Sequence, residues 1–370
     1  MALSAGTRRT VACLLIGLGA LLIVMAVLIP TYTVGKLAKT PLDLEITTVA
    51  NNKAGAESLV LDAKSLTTPE GSAKVDTNVP LISQRFLTVE DPADATQMTV
   101  QAGQTLRRID RQGDTGLLTA VVDRVTIDRK TGMPVDTEPN GSIAVTTNAA
   151  GESLAEPVQH TGLQYRFPIG TEKKNYPYFD INARKSIDMN FVEETEINSM
   201  KVYHFQQTVP ATNLWEVVQA PTNKVTLPAA KWGLPGDGDV TMTRYYTNVR
   251  DVWVEPQTGT IIKGGEQLHL YYARTGDKPD VTALKSNLVF DENTIELQMG
   301  IAQDSIDKLA LFGRTMPIVF GIVGVIAVLG GIFLGLRGGS TGATAGRVGP
   351  GRPRGSDDAP TEQIDMRKGL

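Results

Sequence analysis

Two uninterrupted apolar stretches stand near the ends of the chain, and between them apolar and polar residues alternate in short runs. The first stretch, VACLLIGLGALLIVMAVLI at residues 11–29, has no charge between Arg9 and Lys36, and the second, TMPIVFGIVGVIAVLGGIFLGL at 315–336, lies between Arg314 and Arg337. A hydrocarbon core about 30 Å thick needs about 20 apolar residues at about 1.5 Å rise each. Both stretches, at 19 and 22 residues, therefore predict membrane-spanning helices. A cleaved leader fits the first one poorly, because its apolar region would be only about 7 to 15 residues and would end in a small-x-small site. Here Lys36 stands two residues before Ala38. Cys13, the sole cysteine, falls inside the stretch and reads as a buried membrane residue.

The region between the helices reads as β-sheet. LDLEITTV at 42–49, QMTVQAGQTLRRI at 97–109 and QLHLYYA at 267–273 alternate apolar and polar residues, with Gly, Pro, Asn and Asp punctuating them. FVEETEINSMKVYHFQQTV at 191–209 reads as a hairpin turning at Asn198 and Ser199. Two further segments align position by position, TAVVDRVTIDRKTGMPV at 119–135 and TNVRDVWVEPQTGTII at 247–262. Each predicts a strand, a tight acid-x-x-Thr-Gly turn through Thr131 and Gly132 or Thr258 and Gly259, and a returning strand. The glycine supplies positive φ, and the acid accepts from turn amides. The pair suggests two related sheet units, although a good hairpin turn alone accounts for the pattern.

From 291 to 314, DENTIELQMGIAQDSIDKLALFGR places Ile295, Met299, Ala302, Ile306 and Leu309 on one face of an amphipathic helix, capped by Asp291 or Asn293. The resulting organisation is an N-tail at 1–10, a transmembrane helix at 11–30, a β-rich domain at 31–290, a juxtamembrane helix at 291–314, a transmembrane helix at 315–336 and a disordered tail at 337–370. The tail is rich in Gly, Pro and charge. Within the apolar helices, Gly331 and Gly335 form a small-xxx-small pair, and Gly17 and Gly19 give the first helix a small face for packing.

Charge sets direction and excludes one class of partner. Arg8 and Arg9 before the first helix, and Arg337, Arg347, Arg352 and Arg354 after the second, predict cytoplasmic termini and an extracytoplasmic β-domain in the plasma membrane. Residues 31–314 hold 28 Lys and Arg against 36 Asp and Glu, a net charge of −8. A nucleic-acid binder would need a basic footprint instead.

The three histidines, His160, His204 and His269, stand far apart, and no zinc, nucleophile-elbow or phosphate-loop motif occurs. No enzyme activity and no cofactor is therefore expected. The run YRFPIGTEKKNYPYFD at 165–180 sets Tyr165, Phe167, Tyr176, Tyr178 and Phe179 around Lys173 and Lys174, a mixture that contacts sugars or lipid headgroups, or else caps a core. Trp215 and Trp232 flank a Pro-containing loop that reads as a lid or a second cap.

Two resemblances bear on function. The strand-acid-Thr-Gly hairpins and the hairpin at 191–209 are similar to those of LolA and LppX-like lipoprotein carriers, in which a curved antiparallel sheet closes over helices and holds acyl chains. More broadly, the helix at each end, the run at 165–180 and the juxtamembrane stretch reaching Pro317 resemble the actinobacterial envelope family labelled PorA-like porins. That resemblance implies a two-helix envelope protein, with some members implicated in lipomannan and lipoarabinomannan maturation.

The expectation is a non-enzymatic protein that binds or presents a lipid or lipid-linked glycan. Its alternatives are a subunit that recruits an envelope glycosyltransferase, or a porin-like channel. A membrane barrel would need strands with an outward apolar band and aromatic girdles. Aromatic residues are only 6% of the chain, and LRRIDRQ from Leu106 carries charge on both parities.

Overall fold

The computed structural model describes residues 4–52, 57–147, 153–276 and 278–337. It divides into two compact units, residues 1–24 with 321–370, and residues 25–320. The expected disordered tail lies outside the described residues, apart from Arg337.

The first unit holds most of the two apolar helices, Ala5–Leu28 and Met316–Arg337. Their packing rests on glycines. A Cβ on Gly19 would stand 2.6 Å from the Gly324 carbonyl oxygen, and one on Gly331 would stand 2.8 Å from that of Ala12. Close backbone approach of this kind is how helices associate where no hydrophobic effect drives them together. Gly335 reaches only the edge of the contact, at 3.9 Å from the Ala12 side chain, and Gly17 faces open space. Gly324 completes the interface.

The second unit is built on one antiparallel sheet of 15 strands. In chain order these are β1 (Glu45–Asn52), β2 (Leu59–Asp62), β3 (Lys74–Thr77), β4 (Leu81–Ala93), β5 (Gln97–Arg108), β6 (Leu117–Asp128), β7 (Gly141–Thr147) and β8 (Ser153–Val158). They continue with β9 (Tyr176–Asp180), β10 (Lys185–Ile197), β11 (Met200–Asn213), β12 (Lys224–Pro228), β13 (Asp239–Glu255), β14 (Thr260–Ala273) and β15 (Val281–Phe290). The main path runs β8-β7-β6-β5-β4-β1-β15-β14-β13-β11-β10-β9, with β12 on β13 and the β2–β3 pair on β15.

The two ends of this path meet. Phe179 of β9 packs with Ile143 of β7 and Val158 of β8, Arg184 pairs with Glu156 at 2.6 Å, and Leu163 bridges to Tyr178. The sheet thus curls round on itself.

Its alternating strands turn apolar residues inward. Leu81, Leu106, Tyr246, Leu284 and Leu288 form one buried cluster, Phe167, Met189, Phe205 and Val252 a second, and Leu87, Met98, Val100 and Ile127 a third. The hairpin between β10 and β11 turns on Asn198 and Ser199, both at positive φ (47° and 67°), which matches the twist of a two-residue hairpin. The amphipathic helix spans Glu292–Ala310, and its N-cap Asp291 accepts from the Thr294 amide at 2.8 Å.

Two expectations are corrected. There is one continuous sheet rather than two units. The segment after Gly132 does not return as a strand: Pro134 makes a single bridge to Ile127, and pairing resumes only at Gly141 in β7. Pro134 itself is no obstacle, because Asp128 N donates to Met133 O and Val135 N to Thr126 O on either side of it, and the ladder stops only after Val135. The loop carrying Trp215 and Trp232 holds short helical turns flanking β12.

Candidate functional site

The segment 163–171 crosses both acid-x-x-Thr-Gly turns. In the first turn, Asp128 Oδ1 accepts from the amides of Lys130 and Thr131, and Gly132 sits at φ +71°. In the second, Glu255 accepts from the amides of Gln257 and Thr258, and Gly259 sits at φ +73°. The crossing segment is tied to both: Phe167 N donates to Gly259 O, Ile169 N to Lys130 O, and Thr171 N to Pro256 O. Its start is fixed by the fully buried Asp123, which accepts from His160 Nε2 and Gln164 Nε2, each at 2.8 Å, and from the Tyr165 hydroxyl. Burial, followed by the Asp123 charge, raises the Tyr165 phenol well above its ordinary value, so it stays a donor.

Beneath this segment lies a cavity of about 390 Å³. Its sheet wall comes from Ile46 and Thr48 of β1, Leu87 of β4, Met98 and Val100 of β5, and Ile127 of β6. Opposite stand Gln298, Ile301, Ser305 and Leu309 of the amphipathic helix, with Phe312 beyond it. Tyr165, Arg166 and Ile169 form a third side, joined by Thr258 and Ile261, and the stretch from Ala38 to Leu44 a fourth. The volume falls within the range of about 300–1,000 Å³ typical of small-molecule sites, and the lining is mainly apolar.

A smaller cavity of about 60 Å³ shares Thr48, Arg85, Ile261 and Phe290 with the first and is polar, with Gln104, Arg250 and Glu266 in its wall. Gly264 makes room for Phe290 there, since a Cβ would stand 3.1 Å from its ring.

The polar cavity is balanced in charge. Arg250 donates to Glu266 at 2.8 Å and to Asp180 at 3.0 Å. Burial works to raise the Glu266 carboxyl, but Arg250 and then Arg85 outweigh it and hold it below the usual range. The larger cavity differs. Lys36, Lys39, Arg85, Arg129, Arg166 and Lys308 line it, and no Asp or Glu does. Burial alone lowers the Arg166 guanidinium to about 10.

Of the residues singled out from sequence, Tyr165 and Thr258 line this cavity. Phe167, Tyr176, Tyr178 and Phe179 are buried, with Phe167 stacked on Phe205 at 4.8 Å between ring centroids. Lys173 and Lys174 are exposed and pair with Glu194 and Glu172. Trp232 is buried beside Tyr272, and half-buried Trp215 lies under Lys224, both remote in sequence from the lining. Thr131 and Gly132 hold the first turn, where Gly132 abuts Arg166. Sequence reasoning missed Arg129, Arg166 and the helix stripe of Gln298, Ile301, Ser305 and Phe312. With Lys308 included, that stripe recurs every three or four residues, but its mixed polarity hides it beside the apolar one.

A family model described as Porin PorA matches residues 11–333. A protein named Porin PorA from Corynebacterium amycolatum is 32% identical over 379 residues, covering 87% of this chain and 97% of that protein. Another of the same name, from Corynebacterium resistens, is 32% identical over 402 residues, covering 89% and 97%.

Proposed function

This chain belongs to the Porin PorA family, and on that premise we propose that it is a non-enzymatic envelope protein whose β-domain binds the acyl part of a lipid or lipid-linked glycan. The observation that carries the reading is the cavity of about 390 Å³, closed by sheet on one side and helix on the other and lined mainly by aliphatic side chains. Burying acyl chain against such a surface is favourable by about 25 cal/mol per Å² removed from water. Phe312 stands four residues before the apolar helix that starts at Met316, and Ala38 ten residues after the one that ends at Leu28.

The test is lipid extraction and native mass spectrometry of the full chain purified in mild detergent, alongside Ile301→Trp and Ile46→Trp. The wild type should retain an amphiphile, and the tryptophan variants should lose most of it while keeping their fold. A wild type that consistently carries no amphiphile sinks the reading.

The second reading is a channel, favoured by the name its relatives carry. The strands bury their apolar residues inside the curled sheet, the reverse of a membrane barrel. A conducting path would therefore run between apolar helices of several copies. Single-channel conductance from pure protein in planar bilayers, lost in Gly19→Leu, would support this reading, and silent bilayers would remove it.

A further inference from the structure

Three of the cavity's cations gather around one residue, Thr40. Arg129 Nε donates to the Thr40 carbonyl at 2.9 Å, and Arg166 donates to its hydroxyl. Arg129 also donates to the carbonyl of Asp94 at 2.8 Å, and Lys39 to the neighbouring carbonyl of Ala95 at 2.6 Å. Arg166 completes its contacts with the carbonyls of Thr258 and Phe167. Every acceptor in this set is a neutral oxygen. Among the described residues, none of the three cations makes an ion pair.

The nearest carboxylates are engaged elsewhere. Asp94 Oδ1 accepts from the amides of Thr96 and Gln97, and Asp128 Oδ1 from those of Lys130 and Thr131. A guanidinium has five N–H donors, so Arg129 and Arg166 each keep some uncommitted. Burial works against the Arg166 charge, Lys39 and Arg129 keep part of their exposure, and a planar fork beside an apolar cavity matches an oxyanion.

We propose that Lys39, Arg129 and Arg166 form an anion subsite that receives a phosphate or carboxylate carried by the amphiphile in the cavity. This rests on the acyl-binding reading and narrows its ligand to an acidic lipid. Charge-assisted hydrogen bonds from Arg129 and Arg166 hold the headgroup while its chain extends past Ile46, Leu87 and Ile301.

The experiment compares fluorescent phosphatidic acid with diacylglycerol of identical chains, titrated into the full chain in a neutral detergent. Phosphatidic acid should bind at least tenfold more tightly, and Arg166→Gln should cut that ratio to about twofold. Because Arg166 also holds Thr40, Lys39→Gln with Lys308→Gln serves as a milder pair, expected to lower the ratio at least threefold. A wild-type ratio near one, with diacylglycerol still bound, overturns the anion subsite and spares the acyl site. Failure of both probes to bind overturns the acyl site and the subsite with it. Inorganic phosphate that binds as tightly as phosphatidic acid overturns the lipid-borne source.

Discussion

The two acid-x-x-Thr-Gly turns offer a paired experiment, Gly132→Ala against Gly259→Ala. Both glycines sit at nearly the same positive φ, +71° and +73°, so the backbone cost of adding a Cβ is common to both, at about 1–2 kcal/mol. What separates them is the neighbour. At Gly132 the new Cβ would stand 3.2 Å from the Arg166 Cγ and carbonyl oxygen, a contact relieved by a shift of a few tenths of an ångström. At Gly259 it would stand 2.2 Å from the Phe167 carbonyl oxygen and 2.7 Å from that of Pro168.

Phe167 cannot retreat, because its ring is fully buried between Tyr176 and Phe205. Overpacking of that kind adds about 1–3 kcal/mol. Gly132→Ala should therefore cost about 1–2 kcal/mol in total, and Gly259→Ala about 2–5 kcal/mol. The second change also strains the bond from Phe167 N to Gly259 O and moves the cavity wall at Thr258, so lipid affinity should fall with it. Urea unfolding of the full chain in mild detergent, followed by fluorescence of Trp215, Trp232 and Trp253, reads the difference. Equal costs within about 0.5 kcal/mol, or a reversed order, would refute the argument that the crossing segment is pinned by close approach at the second turn.

Three other changes bear on separate parts of the molecule. Asp123→Asn puts an NH₂ among His160, Gln164 and Tyr165 where a buried carboxylate accepted, and should cost about 3–5 kcal/mol in the same unfolding assay; a loss under about 1 kcal/mol would count against a charged Asp123. At Asp128, burial works to raise the carboxyl, and the amide and hydroxyl of Thr131 outweigh it, holding it below the ordinary 3.8. Its contribution is complete above that value and fades as pH falls through the lower folded one, so Asp128→Asn should flatten the decline of Tm between about pH 4 and pH 2. An unchanged slope would exclude this carboxyl as a source. In the apolar helices, Gly19→Leu should lower the Tm of the first unit in detergent by several degrees and Gly17→Leu should not, since only the former meets a backbone oxygen; equal effects would discount the helix contact.

Much of the frame was legible because it depends on local rules. Two apolar stretches, the alternation in β5 and β14, the positive-φ pair at Asn198 and Ser199 and the Asp291 cap each follow from residues within a turn or two of one another. In the aromatic run at 165–180 most of the rings fill the core, while Tyr165 and the single arginine line the cavity.

The cavity itself is not a local property. Its wall draws on β1, β4, β5, β6, β14, β15 and the amphipathic helix; β4, β5 and β6 are neighbours in both chain and sheet, but β1 lies beside β15, and β14, β15 and the helix join them only in the fold. Inward residues there obey the same alternation whether the space beyond them is filled or empty, so periodicity cannot separate a core position such as Leu81 from a lining position such as Ile46. Register shifts add a second barrier. At the irregularity opposite Trp253 and Val254, these neighbours in β13 pair with Lys263 and Ile261, so Ile262 is an extra residue and the parity of β14 changes there. A simple count along β14 therefore assigns residues on one side of the shift to the wrong face. The cations were hidden from sequence reading, since Arg129 directly follows Asp128 and would be taken for its partner, and Asp94 lies near it in the fold. Only the structure shows those two carboxylates turned to their own hairpin amides, leaving Lys39, Arg129 and Arg166 to the cavity.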